Sequence, residues 1–167
     1  MGADMRNQSM GLMRGILKSA NLERLNARGA DLSRVDLEFA VLKGGDLTGA
    51  SLVGASIAGA NLGADMRNQS MGLMRGILKS ANLEGLNARG ADLSRVDLEF
   101  AALKGGDLTG ASLKGAQLGG ADLTGITVID TDFDGADLDS ARLIAPIGLD
   151  RARNFDKAKN RDRLIKQ

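Results

Sequence analysis

The sequence predicts a repeat solenoid, in which units of five residues wind the chain into stacked coils. Large apolar residues return at every fifth position over long stretches, for example at Leu32, Leu37 and Leu42. Glycine accounts for 23 of the 167 residues and aromatic residues for only 2%, which is unusual for a compact globule with a mixed core. A long stretch of the sequence also occurs twice, as repeat architectures often show.

The five-residue period indicates which side chains point inward. A small residue, usually Ala or Gly, stands two positions before most of the large apolar ones. This period fits neither the 3.6 residues of an α-helix nor the 2.0 of a strand, so each unit should bury two side chains, and four units can close a square. At Ala27 and Ala88 the large and small positions are exchanged, with Leu25 and Leu86 inward two residues earlier, which keeps the summed volume.

The resulting motif, A-[DN]-L-x-x, resembles that of the pentapeptide-repeat family. The resemblance covers roughly residues 10–143 and more than twenty units match. It implies an all-β fold, a right-handed quadrilateral β-helix that uses four pentapeptides per coil and buries the central Leu or Phe. With coils about 4.8 Å apart, the chain would form roughly six to seven of them.

The duplication is nearly exact in sequence. The copies are residues 2–52 and 63–113, with weaker agreement extending the blocks to 2–62 and 63–123. They differ only at Arg24, which is Gly85 in the second copy, and at Val41, which is Ala102. So close a copy indicates either a very recent gene duplication or an engineered insertion.

At the junction between the copies the five-residue register does not continue unchanged. The second copy is offset from the first by three coils plus one residue. This offset predicts a one-residue register insertion between 62 and 73, absorbed as a bulge over 65–71. The rival hypothesis is a short helix over 67–80, where Met71, Met74 and Leu78 have helical spacing, separating two solenoid blocks. We favour one continuous solenoid over residues 1–145.

The C-terminal segment follows a different pattern. After Leu143 the five-residue period stops at residues 144–146, and a six-residue period replaces it. Its apolar residues lie three apart, which favours short 3₁₀ or helical turns. We therefore expect a C-terminal cap over residues 146–167 that ends in a short helix near 157–165. The apolar residues are Leu149, Ala152, Phe155 and Ala158.

The N-terminal coil contains Met5, Met10, Leu12 and Met13, with no capping element before them. Uncovered coil ends expose apolar surface, and methionine side chains adapt to irregular partners. We therefore expect a homodimer through the N-terminal coil.

Composition argues against several classes of function. The chain has no Cys and no His, so thiolate nucleophiles, imidazole bases and the usual zinc ligands are missing, and neither catalysis nor a cofactor or metal is predicted. The formal net charge of +1 provides no field for direct binding of nucleic acid. No apolar run is long enough for a membrane span and no signal-peptide pattern is present, so a cytoplasmic location is expected.

One stretch imitates a metal site. Asp130, Asp132 and Asp134, followed by Gly135, match the first half of a calcium-binding loop, but the twelfth position is Ala141 instead of Glu. These carboxylates are therefore predicted to lie on the surface of the coils.

The same stretch is the chain's one acidic patch. The family resemblance implies a function for such patches, because some members present an acidic rod that mimics duplex DNA and binds DNA gyrase. Basic residues such as Arg28, Lys43 and Arg89 interrupt any longer acidic track. DNA mimicry is therefore the alternative hypothesis.

The leading hypothesis is a non-catalytic repeat scaffold or protein-interaction module whose partner is unknown. Phe39 and Phe100 occupy equivalent outward positions in the two copies, where they could form an interaction ridge or pack at the corners of the coils. The candidate interaction residues are Phe39, Phe100, Asp130, Asp132 and Asp134.

Overall fold

The computed structural model of the protein describes residues 17–64 and 75–166. Within these residues the backbone forms coils that stack through isolated parallel β-bridges, one bridge per five-residue unit. Asn21 pairs with Val41 and Val41 with Asn61, so neighbouring coils are twenty residues apart along the chain. Four units therefore complete one coil.

The unit around Leu93 shows why the period is five. The amide of Leu93 donates to the carbonyl of Ser112 in the next coil at 2.9 Å, and Val96 donates back to Leu93 at 3.2 Å, which closes a two-residue turn. The second turn residue, Arg95, has φ of 61°. A left-handed residue after nearly every bridge turns the chain into the next side of the coil, and it costs an L-residue about 1–2 kcal/mol.

The coils present four faces, each defined by the column of central residues behind it. We number the faces in chain order from Ala27, and the columns follow the bridge pairing. Face 1 contains Ala27, Leu47, Leu78, Leu98, Leu118 and Leu138; face 2 contains Leu32, Leu52, Leu83, Leu103, Leu123 and Leu143; face 3 contains Leu17, Leu37, Ile57, Ala88, Leu108 and Val128; face 4 contains Leu22, Leu42, Leu62, Leu93, Leu113 and Phe133.

These columns and the small residues between them form one continuous aliphatic core. The exchange of large and small residues predicted for the second copy is confirmed, since Leu86 and Ala88 are both buried. Filling the centre of every coil with methyl and methylene groups leaves only the bridge and turn residues to define the outer surface.

The predicted one-residue insertion at the junction is wrong. The bridges across it join Asp46 to Ile77 and Ser56 to Asn87, and each spans eleven more positions than a regular coil. The extra residues lie between Leu62 and Leu78, and the predicted bulge at 65–71 lies outside the described residues. The error has a physical cause: all four faces accept the same unit, so a copied sequence does not have to return to the face it started from.

The two copies are consequently rotated by half a turn. When the eleven extra residues are removed from the offset between the copies, two and a half coils remain. Leu42 lies on face 4 whereas its copy, Leu103, lies on face 2. The coils nevertheless stay stacked in one ladder, because Ile77 bridges Asp46 below it and Asp97 above it. The rival helix does not extend over residues 75–80.

The C-terminal segment continues the ladder with units of six residues. Each successive bridge in it spans one more residue than the bridge before. The additional residue of each unit enters a 3₁₀ helix in place of the two-residue turn, and the described part of this segment has no α-helix. The bridges join Ile147 to Thr127, Arg153 to Asp132, Lys159 to Asp137 and Ile165 to Arg142. The 3₁₀ helices are Leu149–Arg151, Phe155–Lys157 and Arg161–Arg163.

Phe155 attaches this segment to the core. Its ring meets that of Phe133 edge to face, with centroids 5.4 Å apart and planes at 87°. Such pairs add about 0.5–1.5 kcal/mol beyond the area they bury. The contact fixes the six-residue coil over the last five-residue one.

Candidate interaction surfaces

The acidic patch is used within the protein. Asp132 is only 4% exposed, and its Oδ1 accepts hydrogen bonds from Asn154 Nδ2 at 2.9 Å and from the amide of Asp134 at 3.1 Å. Its Oδ2 lies 3.3 Å from Lys114 Nζ. Burial by itself would raise the pKa of Asp132, but the hydrogen bonds and the ammonium outweigh it and hold that pKa below its ordinary value.

The C-terminal segment binds the neighbouring carboxylates as well. Arg151 Nη2 lies 2.9 Å from Asp130 Oδ2, and Arg163 Nη1 lies 3.2 Å from Asp139 Oδ2. Asn160 donates to Asp137 at 2.7 Å. The acidic patch, which the sequence suggested as an interaction surface, is therefore largely occupied by side chains of the C-terminal segment of the same chain. The signal for this was present, because the tail alternates basic residues and asparagines one coil after the aspartates.

The carboxylates that resemble a calcium loop are divided between two parts of the coil. Asp130 and Asp134 lie in the turns after faces 3 and 4, while Asp132 is the bridge residue of face 4. In the described part of the chain no three His, Cys, Asp or Glu side chains are grouped so that they could hold a metal ion.

Elsewhere, charges pair between neighbouring coils. Lys18 Nζ lies 2.7 Å from Glu38 Oε2, and Arg28 Nη1 lies 2.9 Å from Asp46 Oδ2. The second copy repeats both pairs, at 2.6 Å and 2.8 Å. Because each pair joins opposite charges in adjacent coils, none of the four faces carries an unbroken column of carboxylates within residues 17–64 and 75–166.

Phe39 and Phe100 are large, exposed corner residues. They are 58% and 62% exposed, and both have φ of 58°. Each ring lies against a glycine of the next coil: a Cβ placed on Gly59 or Gly120 would come within 2.6 Å of ring carbons. On the other side, the ammonium of Lys18 or Lys79 lies 5.7 or 5.6 Å from the ring centroid. Corner packing therefore accounts for how the rings are held.

The two phenylalanines do not form one ridge, contrary to the interaction-ridge hypothesis. Phe39 follows face 3 and Phe100 follows face 1, which are opposite sides of a four-sided coil. The half-turn between the copies causes this separation. Each ring is therefore a separate surface feature.

A groove of about 270 Å³ lies beside Phe100. Its floor is the Gly119–Gly120 turn, where two successive side chains are missing. Glu99 and Phe100 border it on the coil below, and Asp137, Asp139 and Ser140 border it on the coil above. Sequence reasoning missed this groove because it depends on the stacking of three coils. Gln117 completes the lining.

Two further predictions from the sequence concern the N-terminal coil and the absence of a membrane span. Met5, Met10, Leu12 and Met13, which carry the dimer hypothesis, lie outside them. Among the described residues, no helix has the length and apolar character needed to cross a membrane.

Four-sided coils stacked through parallel bridges at every fifth residue define a β-solenoid of pentapeptide units. A family profile described as pentapeptide repeats matches in eight copies over residues 16–54, 30–68, 77–115 and 116–144. The protein belongs to the pentapeptide-repeat family, and the resemblance inferred from the motif is confirmed.

Solved structures show the same fold. A trypsin-treated form of QnrB1, a plasmid-mediated fluoroquinolone resistance protein, is similar with a TM-score of 0.64 and 22% identity over 83% of this chain and 66% of that one. The protein thus spans slightly less than two thirds of the QnrB1 chain. HetL of the cyanobacterium Nostoc sp. strain PCC 7120, involved in regulation of heterocyst differentiation, gives 0.51 and 28% over 90% and 72%. A search of curated proteins finds no match.

Proposed function

We propose that the protein is a non-catalytic repeat scaffold that binds a partner protein through the corners of its coils. The observation that carries this proposal is the pair of exposed rings, Phe39 and Phe100, which are held in a left-handed backbone conformation. Such a position costs an L-residue about 1–2 kcal/mol, and most of the other corners carry glycine instead.

The geometry suits recognition by a rigid surface. A ring fixed between a lysine of one coil and a glycine of the next loses little conformational freedom when a partner covers it. Binding then costs less entropy than it would for a flexible side chain. Aromatic side chains also supply much of the free energy at protein interfaces.

The proposal also includes the number of coils, the bounds of the solenoid and its cap, the oligomeric state and the location. We infer roughly six to seven coils, with residues 1–145 as the solenoid and residues 146–167 as its C-terminal cap, stacked about 4.8 Å apart. A homodimer through the N-terminal coil and a cytoplasmic location complete it. HetL is described as a pentapeptide repeat protein involved in the regulation of heterocyst differentiation, and a non-catalytic binding role is compatible with that description.

DNA mimicry as a gyrase-binding protein is the weaker alternative. It needs a continuous acidic face, and the aspartates that suggested it are paired with Arg151, Asn154, Asn160 and Arg163 of the tail. Basic residues lie between the remaining carboxylates along the coils. The charge pattern therefore favours a partner protein that does not bind a continuous row of negative charges like the phosphates of DNA.

Photo-crosslinking tests the proposal. A benzophenone amino acid would replace Phe39, Phe100 or, as a control on face 2, Lys104 in cells that express the chain. We expect a discrete adduct at one or both phenylalanine positions and none at Lys104, and the partner identified from it should bind the purified protein and lose affinity on Phe→Ala substitution there.

Equal adducts at all three positions, or none at any, would contradict the proposal. Inhibition of DNA supercoiling by purified gyrase at stoichiometric amounts of the protein would replace it with the alternative.

A further inference from the structure

We infer that the groove beside Phe100 binds an arginine side chain of the partner protein, an inference that rests on the proposed scaffold function. The groove exists because Gly119 has no side chain between neighbouring coils, while the ring of Phe100 lies against the backbone of Gly120 beside it. A long side chain lying along the corner of the coils would fill this space.

The walls combine one apolar and several anionic groups. The exposed ring of Phe100 offers apolar surface to the methylene groups of a long side chain. Three acidic residues, Glu99, Asp137 and Asp139, line the same space. An arginine matches both parts, because its planar fork of N–H donors binds carboxylates while its stem packs on apolar surface.

The chain's own cations already use these carboxylates. Arg163 lies 3.2 Å from Asp139, with the two side chains 62% and 41% exposed. Lys79 lies 2.6 Å from Glu99, with both side chains more than one third exposed. Exposed pairs of this kind hold their partners only weakly, so an incoming arginine can share or displace them. Of the three carboxylates that line the groove, two are paired with cations of the same chain.

The first copy supplies a natural comparison. At Phe39 the corresponding turn is Ala58–Gly59, and Asn87 and Arg89 stand where Asp137 and Asp139 stand at Phe100. Arg89 forms its own pair with Asp107 at 2.8 Å. Glu38 is paired with Lys18 as Glu99 is with Lys79, but the coil above the Phe39 turn supplies an amide and a cation, which do not attract arginine.

Fluorine NMR can test the inference without a partner. The chain's phenylalanines would be replaced by 4-fluorophenylalanine and their resonances assigned with single Phe→Leu variants. The probe is the peptide acetyl-Gly-Arg-Gly-amide, with the citrulline peptide as a neutral control of the same shape. We expect a saturable shift of the Phe100 resonance at millimolar peptide, no shift of Phe39 or the buried Phe133, and at least fivefold weaker binding of citrulline.

Two variants sharpen the test. Gly119→Val should abolish the shift by filling the groove, and it should fold normally because a Cβ at this position meets nothing closer than Asp139 O at 3.7 Å and the backbone φ is not left-handed. Asp139→Asn should weaken arginine binding severalfold and leave citrulline binding unchanged. An unaltered Phe100 shift in a folded Gly119→Val protein would overturn the assignment to the groove.

The remaining outcomes separate this inference from the proposed function. Equal shifts at Phe39 and Phe100, or equal affinity for arginine and citrulline, would overturn the arginine site even if crosslinking identifies a partner. Arginine binding at the groove together with no crosslinked partner would overturn the scaffold proposal instead.

Discussion

The two copies of the duplicated stretch have almost the same sequence but different surfaces. Contacts whose two partners both lie inside a copy are reproduced closely: Ser33 and Ser51 hydroxyls are 2.8 Å apart, as are those of Ser94 and Ser112. The cation–π distances also agree, at 5.7 Å for Lys18 and 5.6 Å for Lys79. Such contacts span about one coil, so a copied stretch of 51 residues carries them along.

Contacts that reach beyond a copy differ. The coils above Phe39 contribute Ala58 and Arg89, whereas those above Phe100 contribute Gly119 and Asp139. In a solenoid, the surface at one residue is set by residues one and two coils further on. A duplicated sequence therefore repeats its interior and its nearest ladder contacts, but it does not repeat a binding surface that spans three coils.

The largest effect should come from charging the core in either copy. Leu42→Asp and Leu103→Asp each bury a carboxylate at a position that is 1% exposed, at a cost of several kcal/mol. Both variants should unfold or melt far below the wild type by circular dichroism, although the two residues lie on opposite faces.

Lys104→Asp is the matched control, because its side chain points outward one position after Leu103. It should melt within a few degrees of the wild type. If Leu103→Asp and Lys104→Asp melt together, the assignment of inward and outward positions is wrong.

A smaller effect should come from the glycines beneath the two rings. Gly59→Ala and Gly120→Ala must push the ring aside, since their Cβ atoms would lie 2.6 Å from ring carbons, and both have left-handed φ. Each should lose more in denaturant unfolding than the about 1–2 kcal/mol of a left-handed L-residue alone. When Phe39 or Phe100 is also replaced by Ala, the loss in free energy of unfolding should shrink to the cost of the left-handed backbone alone.

Gly119→Ala is the control for these glycines, because its Cβ makes only ordinary contacts. We expect its free energy of unfolding to stay within about 0.5 kcal/mol of the wild type. A loss equal to that of Gly120→Ala would mean that the ring and the left-handed turn do not distinguish the two positions.

The smallest effect should be a shared dependence on pH. Burial alone would raise the pKa values of Asp46 and Asp107, but hydrogen bonds from Thr48 and Thr109 and the neighbouring arginines outweigh it and lower both. A lowered folded pKa stabilises the protein above the unfolded value of about 3.9 and the contribution disappears as pH falls through the folded value.

Asp46→Asn and Asp107→Asn should therefore each reduce the melting temperature at pH 7 and flatten its decline between pH 5 and pH 2. The two changes should be similar, because the partners of each carboxylate lie within its own copy. Unequal pH profiles would show that the next coil perturbs these positions after all.

The sequence predicted the coil and its core because burial in this fold depends on local spacing: Leu103 is inward wherever its unit is placed. The sequence could not predict the half-turn between the copies, because every face accepts the same five-residue unit. Only the bridge between Asp46 and Ile77 shows which face the second copy occupies. The acidic patch was located correctly in sequence, but its partners Asn154 and Arg163 come from the next coil. The groove at Gly119 required three stacked coils.

Eleven extra residues between Leu62 and Leu78 place the two copies on opposite faces of the coils. The chain has no cysteine, so pairs can be introduced without interference. Asn87 Nδ2 lies 3.2 Å from Ser56 Oγ in the neighbouring coil, and adjacent strands fall within the range that a disulfide spans. Ile77 lies on face 1, across the coil from Ser56 on face 3.

The deciding measurement is therefore disulfide formation in Ser56→Cys/Asn87→Cys and in Ser56→Cys/Ile77→Cys, followed by intact mass and a non-reducing gel under mild oxidation. We expect an intramolecular disulfide in the first protein and free thiols in the second. A disulfide between positions 56 and 77, with none between 56 and 87, would instead mean a one-residue insertion and copies that share a face.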